Sequence, residues 1–246
     1  MAQIVSVISG KGGTGKTSLC AGLAACLARE GARVLCIDLD VGLRNLDIAL
    51  GMADEAALPF TAVMRGETPL SQATPHPTQS GLYLLTAPVT ETMESIGIRA
   101  FGALLREAKG AYDWVLIDAP AGLGRGFQLA TGFADEAIVV TLADPASQRD
   151  AARATELLLA KRDIPVRMAV NRVSPKLFAK MQSTVDDVMD LVGLPLLGLV
   201  PEDPSVVLAA AAGRLLIDFT EQGAARACRN LALRLEGRRV PLMKLK

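Results

Sequence analysis

Short apolar runs alternate with longer stretches of helical period along almost the whole chain. Seven runs read as strands, at residues 4–8, 34–37, 82–85, 114–117, 137–141, 166–170 and 196–200. Most are continuously apolar rather than alternating, as expected when both faces of a parallel sheet are covered. Helical patterns fall between them at 16–29, 96–109, 148–160, 178–191, 205–212 and 222–235. This order predicts an α/β fold: a doubly wound, mostly parallel sheet with helices on both faces and right-handed crossovers. The Pro-, Thr- and Gln-rich stretch 68–80 reads as a surface loop. No linker or repeat divides the chain. One domain is expected over residues 1–236, with a short basic and apolar tail at 237–246.

Composition narrows this picture. Half of the 246 residues are hydrophobic, enough for a sizeable core and too many for intrinsic disorder. No apolar run approaches the ~18 residues of a membrane-spanning helix. No signal-peptide pattern opens the chain, and Cys20, Cys26, Cys36 and Cys228 form no CxxC pair. Buried thiols in a reducing cytoplasm are expected. The single histidine, His76, lies between Pro75 and Pro77 and reads as a loop residue; with scattered cysteines it makes no zinc site. The 26 basic and 26 acidic residues cancel, but unevenly. From Ala224 onward seven basic residues face one acid, a net of +6, while the preceding part carries 19 against 25, a net of −6. A basic end of this kind marks either an anionic partner or a solvated helix.

The chemistry begins directly after the first predicted strand. Gly10-Lys11-Gly12-Gly13-Thr14-Gly15-Lys16-Thr17 matches the G-x-x-x-x-G-K-[ST] phosphate loop, with a helix following at once and Ser18 in its first turn. Glycines let backbone N–H groups converge on phosphate, and the helix N-terminus adds partial positive charge. Lys16 suits the outer phosphates and the Thr17 hydroxyl suits Mg²⁺. Lys11 is a second lysine that an ordinary loop does not need. It is either solvated or projects across a symmetric interface.

Carboxylates follow at strand ends, where ligands bind in such sheets. The second strand runs into Asp38-Leu39-Asp40, and the segment continues to Arg44-Asn45-Leu46-Asp47. Two acids there can hold Mg²⁺ through water, orient an attacking water, or cap a turn. The fourth strand ends in Asp118-Ala119-Pro120-Ala121-Gly122, a Walker B arrangement that puts Asp118 in the metal's outer shell; Gly122 and Gly124 give the backbone freedom to move. Asp150 near a helix start reads as an acid that compensates the helix dipole. Asn171, followed by Arg172 at the end of the sixth strand, has the donor and acceptor needed to read an adenine edge.

K-G-G-T-G-K-T resembles the deviant Walker A signature of the MinD/ParA family. D-x-D-x-G-L-R-N-L-D resembles that family's first switch segment, D-A-P-A-G its second, and Val200-Pro201-Glu202-Asp203-Pro204 its second adenine-side loop. The resemblance covers roughly residues 4–216. It implies a P-loop NTPase of the SIMIBI type that binds ATP and Mg²⁺ and dimerises around two ATP molecules. Lys11 then acts in the partner's site, Asp40 positions water, and Asp38 is a metal-shell or structural partner. The resemblance adds Arg172, Pro201, Glu202 and Asp203 to the nucleotide site, and Asn45 and Asp150 to the dimer and partner surface. It also implies slow hydrolysis, stimulated by a MinC- or MinE-like regulator, and a role in septum placement.

The match fades at the tail. MinD-like proteins bind membrane through a basic amphipathic C-terminal helix. Here Arg238, Arg239, Lys244 and Lys246 supply charge, but Pro241 disfavours a continuous helix and no Phe or Trp anchors it. A weak anchor on anionic lipid remains the expectation, at about 1 kcal/mol per basic residue. It makes the protein cytoplasmic and peripheral at the inner membrane face. A ParA-type DNA or cargo-partitioning role, or a flagellar-placement role, is the alternative. DNA ranks lower because the first 223 residues are net acidic. A cluster-carrying relative would need cysteines that meet at an interface, and none follows Asp118 closely.

Overall fold

The computed structural model describes residues 2–243. One sheet contains β1 (Gln3–Ile8), β2 (Val34–Asp38), β3 (Thr74–Pro75), β4 (Leu82–Leu85), β5 (Trp114–Asp118), β6 (Glu136–Thr141), β7 (Val166–Val173) and β8 (Leu196–Pro201). Their spatial order is β3-β4-β2-β5-β1-β6-β7-β8. Every neighbouring pair is parallel except β3 and β4. The helices are α1 (Lys16–Arg29), α2 (Leu46–Ala49), α3 (Phe60–Met64), α4 (Ile98–Ala111), α5 (Arg125–Gly132), α6 (Pro145–Leu159), α7 (Pro175–Met181), α8 (Val185–Val192), α9 (Ser205–Ala211), α10 (Leu216–Phe219) and α11 (Gly223–Leu235).

The continuously apolar strands are explained by two cores. Along β2, Leu35 and Ile37 enter one cluster with Phe60, Phe101 and Phe127 from α3, α4 and α5. Val34 and Cys36 enter the other, with Leu23 of α1 and Leu231 of α11. Each strand therefore feeds both sides of the sheet by simple alternation. Ser6, a buried polar residue on β1, is satisfied by donating to the Ala130 carbonyl at 2.6 Å. All four cysteines are buried, and burial pushes the Cys26 thiol up to about 12. No helix among the described residues is long and apolar enough to cross a membrane.

Three expectations need correction. The stretch 68–80 is not plain loop: it holds a single 3₁₀ turn and the antiparallel edge strand β3. His76 within it is buried, and its Nε2 lies 2.8 Å from the Leu50 carbonyl. Its Nδ1 accepts the Thr78 and Gln79 amides, so the ring fastens this segment to the end of α2. The helix expected at 178–191 is two helices. Gln182 turns left-handed at φ 51°, and Thr184 starts α8 with a capping box to Asp187. The helix expected at 148–160 begins at Pro145, because Asp144 caps it and accepts the Ser147 amide.

Beyond α11 the described part of the tail forms neither helix nor strand. The Arg234 guanidinium donates to the Val240 carbonyl at 3.0 and 2.9 Å and to the Leu197 carbonyl at 2.6 Å. Met243 packs on the α1–α11 core while Leu242 is exposed. Lys244 and Lys246 lie outside the described residues.

Candidate nucleotide site

The phosphate loop joins β1 to α1 in the middle of the sheet. Gly13 and Gly15 sit at φ 80° and 81°, which only glycine adopts without cost, and Gly15 caps α1. Lys16 opens the helix, and its Nζ lies 2.7 Å from Asp118 Oδ1 at the end of β5. The pair is almost wholly buried. Burial raises the Asp118 carboxyl above its ordinary range, opposed by the Lys16 charge. Asp118 Oδ2 and Thr14 Oγ1 are buried without a partner among the described residues. Such orphaned atoms cost roughly 1–3 kcal/mol each, so their place beside a phosphate loop fits a group that satisfies them when bound.

Asp38 is the register partner of Asp118 on the adjacent strand. It is fully buried, and both oxygens serve the backbone: Oδ1 accepts the Asp40 amide at 2.8 Å, and Oδ2 accepts Asn45 and Leu46 at 3.2 and 3.1 Å. Burial, then the neighbouring Asp118 charge, pushes its carboxyl up to about 6. These bonds favour the structural half of the two readings of Asp38. Asp40, held on that folded segment, is half-buried, and its carboxylate carries no hydrogen bond among the described residues. Burial raises its pKa and Lys16 lowers it. Asn45 is exposed beside Arg44, which adopts a left-handed φ of 46° and pairs with Asp47 at 2.8 Å.

The residues expected at the base converge on one cavity. Asn171, Arg172, Pro201, Glu202 and Asp203 line it, and Gly15 and Ser18 complete its phosphate-loop wall. Two of them also brace the site. Asn171 Nδ2 donates to the Thr14 carbonyl at 2.8 Å, and a Cβ on Gly15 would lie 2.2 Å from that nitrogen. Asp203 accepts the Ser205 and Ala224 amides at 2.9 and 2.8 Å. Burial opposes its ionisation, yet these bonds hold it below the usual carboxylate range.

Asp150 also meets the loop. A Cβ on Gly10 would lie 2.3 Å from the Asp150 carbonyl oxygen. Gly10→Ala is therefore expected to lower stability by about 1–3 kcal/mol through overpacking, besides weakening nucleotide binding. Thermal unfolding of the nucleotide-free protein checks this, because a purely phosphate-contacting role predicts no shift. One residue was missed from sequence: Asp144, whose Oδ1 lies 3.4 Å from Lys11 Nζ. Its only local signal is an Asp-Pro pair at a helix start.

The chain matches the CobQ/CobB/MinD/ParA nucleotide-binding domain over residues 5–217. It is 35% identical, over 99% of its length and 92% of the relative's, to the septum site-determining protein MinD of Synechocystis. The chain belongs to the MinD family of cell-division ATPases. As a MinD-family protein it overlays MinD in a solved MinC:MinD complex from Aquifex aeolicus with a TM-score of 0.90 and 32% identity, covering 99% of both chains. It overlays MinD of Pyrococcus horikoshii, solved with Mg-ADP, with a TM-score of 0.84 and 29% identity, covering 96% of both chains. The doubly wound fold and the nucleotide chemistry expected from the sequence agree with this membership.

Proposed function

We propose that residues 1–236 form an ATP-dependent dimerisation switch and that residues 237–246 deliver it reversibly to the cytoplasmic face of the membrane. There it helps to place the division septum. In this reading the loop from Gly10 to Ser18 binds the phosphates, Lys16 neutralises them, and Thr17 holds Mg²⁺ with Asp118 in its outer shell. Mg²⁺ supplies charge neutralisation at the outer phosphates. Asn171 and Arg172, with the loop Pro201–Asp203, receive the base, and Asp40 orients the attacking water. Asp38 keeps the Asp40–Leu46 segment folded.

The observation that carries the reading is the contrast between the two lysines. Lys16 is buried against Asp118, whereas Lys11 stands at the rim with its side chain 34% exposed. A rim lysine of this kind suits a phosphate on the facing chain. Asp150, which packs against Gly10 beside Lys11, and the exposed Asn45 suit the dimer and partner surface. A regulator of the MinC kind is supported by the Aquifex MinC:MinD complex, and one of the MinE kind by the expected slow basal turnover. Membrane contact rests on Arg238, Arg239 and exposed Leu242, with no amphipathic helix over the described tail. Two tails in one dimer multiply a weak affinity.

Co-sedimentation with anionic vesicles tests the delivery step. Protein with a non-hydrolysable ATP analogue is expected to pellet, protein with ADP to stay soluble, and Arg239→Glu/Leu242→Asp to lose most of the pelleted fraction. No pelleting with the analogue overturns membrane delivery. Salt-sensitive retention on nonspecific DNA in the same preparation turns the reading toward a ParA-type partitioning role.

A further inference from the structure

Lys11 already has a partner in the single chain. Its ammonium lies 3.4 Å from Asp144 Oδ1, with side chains 34% and 41% exposed. Both ends of this contact are anchored. Asp144 caps α6, accepting the Ser147 amide at 2.9 Å and also the Ser147 hydroxyl, with Pro145 at the first helical position. The Lys11 backbone is tied by Ser9, whose hydroxyl donates to the Lys11 carbonyl at 2.9 Å. The lysine side chain spans the distance between these two fixed ends.

We propose that Asp144 is the resting partner of Lys11, so that pairing of two ATP-loaded chains exchanges a carboxylate of the same chain for a phosphate across the interface. This rests on the reading of Lys11 as a residue acting in the partner's site. The exchange is favourable because a half-exposed pair at this distance is weak, whereas a phosphate offers more charge and several acceptor oxygens. Asp144 is a positioning residue. It orients the Lys11 ammonium and competes for its charge, and it sets the threshold for dimerisation without touching the reacting atoms.

Asp144→Asn tests this, because asparagine caps a helix as well as aspartate but carries no charge. Asp144→Ser, a second capping residue, guards against an effect peculiar to one variant. Equal melting temperatures to the unaltered chain establish that both fold. Each dimer breaks two such pairs, so the dissociation constant with a non-hydrolysable ATP analogue is expected to fall roughly two- to thirty-fold in both variants. In the nucleotide-free chain, acylation of Lys11 by an amine-reactive ester, read by mass spectrometry, is expected to rise. A dimer of unchanged or weaker affinity overturns the proposal, as does unchanged Lys11 reactivity. Lys11→Ala separates the two layers. If it dimerises fully with the analogue, the reading of Lys11 itself fails. If it stays monomeric while the Asp144 variants match the unaltered chain, only the role of Asp144 fails.

Discussion

Lys16→Ala is expected to lose nucleotide binding and to cost about 3–5 kcal/mol of stability, because it strands the buried Asp118 carboxylate. Against a total stability of about 5–15 kcal/mol, that is a large fraction. The loss should depend on pH. Burial already raises the folded-state pKa of Asp118, and removing Lys16 raises it further. A raised folded-state pKa leaves the group's contribution intact below its unfolded value and removes it as pH rises through the folded one. Urea unfolding should therefore show a larger deficit at pH 8 than at pH 5. Lys16→Ala/Asp118→Asn should recover much of the stability and none of the binding. A deficit that is equal at both pH values would mean that the stranded Asp118 charge does not carry it.

Asp40→Ala is expected to reduce ATP hydrolysis by roughly 10²- to 10⁴-fold, the usual worth of a positioned acid–base group. It should leave nucleotide binding and the ATP-dependent dimer in place. Stability should change by no more than about 0.5 kcal/mol, because the Asp40 side chain makes no hydrogen bond in the fold among the described residues. Single-turnover hydrolysis, read beside light scattering of the ATP-loaded protein, distinguishes these effects. A variant that hydrolyses ATP at the normal rate removes Asp40 from the chemistry. A variant that cannot dimerise moves its role to the interface. Asp38 offers the contrast: its oxygens accept three backbone amides, so its loss should unfold the local segment whatever it does to catalysis.

The phosphate-loop motif was legible in the sequence because its pattern is local. Eight consecutive residues carry the glycines, the lysine and the hydroxyl, and the helix that orients them follows directly. The strand ends bearing Asp38 and Asp118 were legible for a related reason: an apolar run that stops at an acid marks its own boundary. The hydrogen bonds that the site's polar side chains make were not legible. Asp38 serves the backbone of its own segment, and Asn171 reaches a carbonyl 157 residues earlier in the chain. The split between α7 and α8 was hidden because the apolar period runs through the Thr184 capping box. His76, flanked by prolines, gave no local sign that it would bond Leu50.

The sheet-and-helix alternation, the phosphate-loop motif and the uneven charge of the two ends can be read from the residues in order. These follow from hydrophobic period, glycine conformation and residue type, each expressed within a few neighbouring positions. Only the folded arrangement shows that Lys16 rests on Asp118, that Lys11 rests on Asp144, and that Arg234 fastens the tail. The physical reason is that all the central strands are almost equally apolar. Hydrophobic burial therefore drives them into one sheet without naming their neighbours, and only their observed order brings polar groups more than a hundred residues apart within hydrogen-bond reach.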